Sequence, residues 1–205
     1  MMNHRGYGGG GAVPPGTHYV GFGEADGVSG TQTIALSGGV LSGDIAVCMS
    51  VSISSPDGLA NIVTTIGGSG IATQLSYQIL NAGNQAAQNI ATSVGGANAT
   101  TLIGIYRGPT HATYATSAFN DFTTSPPITA PGFAKNAGAL VIPYFVAATS
   151  NPTLTSHPGT LRATTVNKLV ALADFDPAST YTNGTAESWN YVSLVNIILA
   201  ALDLH

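Results

Sequence analysis

The sequence predicts an all-β protein: a jelly-roll-like antiparallel β-sandwich carrying an extended Gly-rich N-terminal arm. Three observations predict it. In LSGDIAVCMSVSISS, Leu41 to Ser55, large apolar residues stand on every odd position from Ile45 to Ile53 and only Ala, Cys or Ser on the even ones between, which is the two-residue period of a strand. Elsewhere, short runs rich in Thr, Val, Ile and Tyr are separated by turn residues, and strong helical patterns are nearly absent. The order of turns and strands in the first half also recurs in the second.

Residues 1–17, MMNHRGYGGGGAVPPGT, have no periodicity and are rich in Gly and Pro, so they are expected to form an arm outside the core. His4, Arg5 and Tyr7 are its candidate assembly side chains. Residues 18–205 are expected to form the sandwich domain. Strands are expected at roughly 18–24, 31–36, 44–54, 61–66, 71–80, 87–94, 100–107, 138–148, 160–173 and 189–200, a series that suits a sandwich better than a propeller. In LSYQIL, Leu75 to Leu80, the alternation directs Leu75, Tyr77 and Ile79 inward and Ser76 and Gln78 outward. Pro143 within ALVIPYFVAA removes a ladder donor, so its strand is expected at an edge or with a bulge. The closing run YVSLVNIILAAL fits a strand or a short helix on pattern alone, and strand is preferred through Leu199.

The repeat pairs LSGDIAVCMSVSISS with KNAGALVIPYFVAATS, Lys135 to Ser150: a small polar turn, a Gly, then a long apolar strand. Further on, NATTLIGIYRG, Asn98 to Gly108, is matched by SWNYVSLVNIIL, Ser188 to Leu199. Two similar halves of antiparallel strands are what a sandwich of two Greek-key sheets produces.

Charge is scarce. The 205 residues include 5 Lys or Arg and 9 Asp or Glu, so 7% are charged, against about a quarter in a typical soluble protein. A surface of Ser, Thr, Asn, Gln and Gly is wetted yet costs little to desolvate, which suits burial against other subunits. The net charge of −4 and the absence of any Lys/Arg cluster argue against nucleic acid as the main partner. The start, MMNHRGYGGGG, lacks the apolar core of a signal peptide, and LVNIILAALDL is shorter than the roughly 20 residues of a membrane span. A soluble, cytoplasmically made protein, with no membrane insertion, is therefore expected. Cys48 is expected to be a small buried core residue and not a nucleophile.

The motifs that carry chemistry are weak. Ser29 in GVSGT and Ser69 in GGSGI both miss the spacing of a nucleophile elbow. His4, His18, His111, His157 and His205 are scattered, without zinc-site spacing. Asp174 and Asp176 in ADFDP, with Glu187 downstream, could hold calcium or form an acid/base pair, but Pro177 favours a solvated strand-end turn. Gly8 to Gly11 is followed by no Lys and preceded by no strand, unlike a phosphate loop. No catalytic residue, metal or cofactor is expected. Carbohydrate recognition is the more credible activity: Tyr106, Arg107, Tyr114, Asn120 and Asp121 lie in or near the segment 106–135, whose Pro, Thr and Ala content reads as a long loop.

The succession GDIAVCMSVSISSPDG, LSYQILNAG, TTLIGIYRG and AGALVIPYFVAA resembles a family of β-sandwich proteins and domains of tailed bacteriophages and prophages. Its shared motifs are a Gly-Asp turn entering a long strand, here Gly43 and Asp44; a Ser-Pro-x-Gly turn, here Ser55 to Gly58; and a strand ending in Tyr-x-Gly, here Tyr106 to Gly108. Where the family commonly carries a Trp after the second turn, this chain has Leu59, Ala60 and Asn61. The resemblance implies a virion structural role, as a head decoration or head fibre protein or as a tail or fibre component. The implied partners are other copies of the chain, as a trimer, and other virion proteins, with no catalytic residues. The alternative is a carbohydrate-binding module that recognises a host cell-surface polysaccharide.

Overall fold

Alternating side-chain size along Ile45–Ser52 lets one strand pack tightly on both faces, and the fold is built around it. The computed structural model describes residues 17–52, 56–68, 71–92, 95–120, 128–130, 140–146, 153–167, 169–175, 187–192 and 197–205. The first half of the chain holds β1 (His18–Gly30), β2 (Thr33–Ala35), β3 (Ile45–Ser52), β4 (Asn61–Gly68), β5 (Ile71–Ile79), α1 (Ala82–Ala87), β6 (Asn89–Ala91) and β7 (Gly95–Arg107). The second half holds β8 (Ala112–Asn120), β9 (Ile128–Ala130), β10 (Leu140–Val146), β11 (Thr153–Ser156), β12 (Thr160–Thr164), β13 (Val170–Phe175), β14 (Glu187–Val192) and β15 (Ile197–Leu204).

Two five-stranded antiparallel sheets face each other, in the orders β1-β7-β3-β5-β4 and β12-β13-β10-β15-β8. Each is contiguous in sequence, and the two have the same topology. When β1, β3, β4, β5 and β7 are set against β8, β10, β12, β13 and β15, every neighbour relation is reproduced. Register agrees as well. Ile45 pairs with Tyr106 and Ile79 in the first sheet, and Leu140 pairs with Asp203 and Phe175 in the second. Both hairpins onto the edge strand carry a register shift near its start, between Ile62 and Thr64 and between Leu161 and Ala163. The short strands follow suit: β2 pairs with β6, and β9 pairs with β14, which also pairs with β11. The all-β sandwich thus repeats one topology twice, and each half supplies one facing sheet.

The core between the sheets takes Ile45, Val47, Met49, Val51, Leu75, Leu102 and Tyr106 from the first half and Val170, Leu172, Ile198, Leu202 and Leu204 from the second. Each such aliphatic side chain contributes about 1.5–3 kcal/mol when fully buried. The opposite face of β3 is covered too. Ala46 and Cys48, with Ile103 and Ile105 of β7, pack against Ile34, Leu36, Val40, Leu59, Leu80 and Ile90. All eight residues of β3 are therefore buried, and the small residues on its even face make room for the β2–β6 ribbon of the same chain. Ser76, expected to face outward, lies under this cover and accepts from Leu59 N at 2.8 Å.

That cover sits very close. A Cβ on Gly21 would lie 2.3 Å from Ser37 O, and one on Gly38 would lie 2.2 Å from Val20 O, so the two backbones touch where neither residue has a side chain. The six-residue α1 is capped by Asn81, whose Oδ1 accepts from Gly83 N and Asn84 N while Asn84 Oδ1 accepts from Asn81 N. Gln88 then binds both polar groups of Val40 at 3.0 Å, and Gln85 accepts from Ser42 N.

Several sequence expectations change. The segment 106–135 is not one long loop, because β8 and β9 lie within it. The run 160–173 is broken by a turn in which Thr165 Oγ1 donates to Asn167 Oδ1 and accepts from Val170 N, which separates β12 from β13. Pro143 is not on an edge strand: β10 is central, between β13 and β15. Its pairing with β13 runs unbroken through Pro143, whereas its pairing with β15 passes from Val141 opposite Leu202 to Tyr144 opposite Leu199 in the same register. The sheet absorbs the missing donor by interrupting one ladder. The closing run resolves into β14 and β15.

Candidate functional site

The three short motifs that carry the resemblance are all structural latches. Asp44, at the mouth of β3, accepts from Leu41 N at 2.8 Å and receives Arg107 in a two-pronged pair, Nε to Oδ1 at 2.7 Å and Nη2 to Oδ2 at 2.8 Å. This hydrogen-bonded pairing holds the Arg107 pKa above its ordinary value. Asp57, from the Ser-Pro-x-Gly turn, is fully buried. Its carboxylate accepts from Gln32 Nε2 at 2.9 Å and Thr101 Oγ1 at 3.2 Å, and its N–H donates to Ser50 Oγ. Leu59, just after this turn, is buried in the cluster beneath the ribbon.

Tyr106 ties the two sheets together. Its hydroxyl donates to Asp174 Oδ2 at 2.7 Å, and Arg162 Nε donates to Asp174 Oδ1 at 2.8 Å. Arg162 also lies over the Tyr19 ring, 4.9 Å from its centroid, and Tyr19 meets Tyr106 edge-on. Burial pushes the Tyr106 phenol well above its ordinary pKa, with the Asp174 charge adding to the effect. Burial likewise pushes Tyr19 up to about 12, against the lowering field of Arg162. Asp174 is not in a solvated turn. It is fully buried in β13, and its charge is tolerated because both oxygens receive donors.

These placements redraw the sequence-derived sugar set. Tyr106 is fully buried and offers no ring face to a ligand. Arg107 is committed to Asp44. Tyr114 is 42% exposed on β8. Asn120 closes β8, where it pairs with Ile197, but its side chain and Asp121 lie outside the described residues. His4, Arg5 and Tyr7 also lie outside them. Cys48 is buried, and burial pushes its thiol up to about 12, so it is held as an inert thiol.

What the sequence did not indicate is where Tyr114 sits. The strands β4 and β8 are each the last strand of their sheet, and a groove of about 490 Å³ opens where they approach. Its wall includes Asn61, Ile62, Tyr77, His111, Thr113 and Tyr114. Ile62 is 64% exposed. The Tyr77 hydroxyl and His111 Nδ1 share a 2.6 Å hydrogen bond, which fixes the imidazole and leaves Nε2 as its other polar atom. The His111 and His205 rings meet edge-on at 5.2 Å, and their backbones exchange hydrogen bonds in both directions. Among the described residues, no group of three His, Cys, Asp or Glu is placed to hold a metal ion, and no helix is long and apolar enough to cross a membrane.

No protein-family model, no curated protein and no solved structure matches this chain.

Proposed function

We propose that the chain is a structural, non-catalytic subunit of a tailed phage or phage-like particle, a head decoration, head fibre or tail-fibre protein that acts through assembly. One observation carries this reading: among the described residues, most carboxylates are turned into the fold or tied to it. Asp44, Asp57, Asp174 and Asp203 are buried, and Arg107 and Arg162 are held by two of them. Glu24 accepts from Val166 N, while Asp26 accepts from Thr100 and Asn167. Carboxylates are seldom buried unless paired. Each carboxylate turned inward is one charge fewer on the outer surface, so that contact with another subunit strips less hydration from ions. The partners are copies of the chain, in a trimer, and neighbouring virion proteins.

The small even face of β3 does not support this reading, because the chain itself covers it. Association must use other surfaces. Native mass spectrometry and sedimentation of the full chain, followed by imaging of assembled particles with the labelled protein, test the proposal. A closed oligomer that resists salt and decorates a shell, tail or fibre is expected. A stable monomer with no affinity for particles would refute it.

A further inference from the structure

The repeated topology supplies an internal control for the groove, independent of the assembly reading. Two facing sheets of like topology have two seams: β1 over β12 on one side and β4 over β8 on the other. The β1–β12 seam is zipped shut. Arg162 of β12 covers Tyr19 of β1, and the turn after β12 is fastened to β1, with Val166 N donating to Glu24 and Asn167 Nδ2 to Asp26. The equivalent seam is open. The register that sets Asn61 opposite Tyr77 sets Leu161 opposite Ala173, and the residue inside the register shift is Val63 on β4 and Arg162 on β12. The open groove therefore follows from the side chains at this seam, and not from the strand topology that both seams share.

We propose that this groove binds a neutral saccharide, with one sugar face against the Tyr114 ring and hydroxyls met by Asn61, His111 and Thr113. The wall contains no Asp, Glu, Lys or Arg, which disfavours an ionic ligand. It combines an exposed aromatic ring with an amide, an imidazole and a hydroxyl: Asn61 Nδ2 donates to Tyr77 O and Thr113 Oγ1 to Asp203 O, which aligns Asn61 Oδ1 and Thr113 Oγ1 as acceptors beside His111 Nε2. Such a mixture suits a ligand with an apolar ring face and a polar rim. The volume lies within the range of small-ligand sites. The Tyr77 hydrogen bond to His111 preorganises one of the polar groups.

The test is a nitrogen-15 NMR titration of the full chain with glucose, galactose, mannose and N-acetylglucosamine and their disaccharides. The expected result is saturable shifts at Asn61, His111, Thr113 and Tyr114 with at least one sugar. Tyr114→Ala should weaken that binding by about tenfold, and Tyr114→Phe should retain most of it. Leu161→Ala, an exposed site on β12, should leave it unchanged, and matching spectra should show that each variant is folded. Absence of shifts with every sugar, shifts confined to other surfaces, or binding unaffected by Tyr114→Ala would overturn the proposal. Shifts that follow protein concentration alone would also overturn it, by assigning the groove to a second copy. Because oligomer size is read separately, loss of the saccharide site leaves the assembly reading standing, and the reverse also holds.

Discussion

Replacing Asp174 with Ala removes the acceptor that joins the two sheets. Tyr106 is fully buried, so its hydroxyl would be left without water, at a cost of about 1–3 kcal/mol for an unsatisfied buried donor. The lost hydrogen bond to Arg162 involves charged partners and is worth about 1.5–3 kcal/mol. The Arg162 side chain is 22% exposed and can turn toward solvent, which limits its share. A net loss of about 3–5 kcal/mol follows, the usual cost of removing one member of a buried pair. With a urea dependence of about 2 kcal/mol per molar, the unfolding midpoint should fall by about 1.5–2.5 M.

A double-mutant cycle with Tyr106→Phe isolates the sheet-to-sheet bond and should return a coupling of about 1–2 kcal/mol. The triple variant Tyr106→Phe, Arg162→Met, Asp174→Leu should recover much of the loss, since no donor is then left stranded. A loss below about 1 kcal/mol for Asp174→Ala, or a coupling near zero, would refute the argument that this carboxylate latches the halves.

Stability should decline as pH rises between about 10, the ordinary tyrosine pKa, and about 12, the value to which Tyr19 is pushed. There the unfolded chain releases phenolic protons that the folded chain retains; Tyr106, also raised by burial, acts in the same direction, and denaturant midpoints across that window check it. Gly21→Ala places a Cβ 2.3 Å from Ser37 O and should cost about 1–3 kcal/mol through overpacking, read by thermal melting, whereas Gly39→Ala should cost strain at its positive φ but meet no clash. Cys48 should fail to react with Ellman's reagent in the native protein and react fully in denaturant; rapid native labelling would mean that the β2–β6 ribbon opens readily.

The sequence revealed strands whose two faces differ in residue size and hid those whose faces do not. β3 and β10 were legible because long aliphatic runs begin after Gly-containing turns. β8, ATYATSAFN, was not: its Ala and Thr residues carry little contrast between faces, and the neighbouring Pro residues suggested a loop. α1 was missed because six residues hold no periodicity, although Asn81 and Asn84 form a capping box. The repeat was legible from β3 and β10, whereas its second pair was offset, since SWNYVSLVNIIL spans β14 and only the start of β15.

Among the candidate site residues, Tyr114 reached an exposed groove and Tyr106 did not. Tyr106 is in phase with Leu102 on β7, and Ile103 and Ile105 alternate with them, so both faces of that strand were apolar and the Tyr belonged inside. Asn61 and His111 could not be paired with Tyr114 from sequence alone, because the groove depends on how two edge strands meet.

Because each facing sheet is contiguous in the chain, its pairing needs nothing made later. Residues up to Arg107 contain every strand of the first sheet, so that sheet can pair during synthesis, before the second half has left the ribosome. Its inner face, with Met49, Leu75 and Leu102, then has to wait for the strands from Ala112 onward to arrive. The interval is one of exposed apolar surface, in which a nascent chain on one ribosome can meet its neighbour on the next. A slower passage through the second half lengthens that interval.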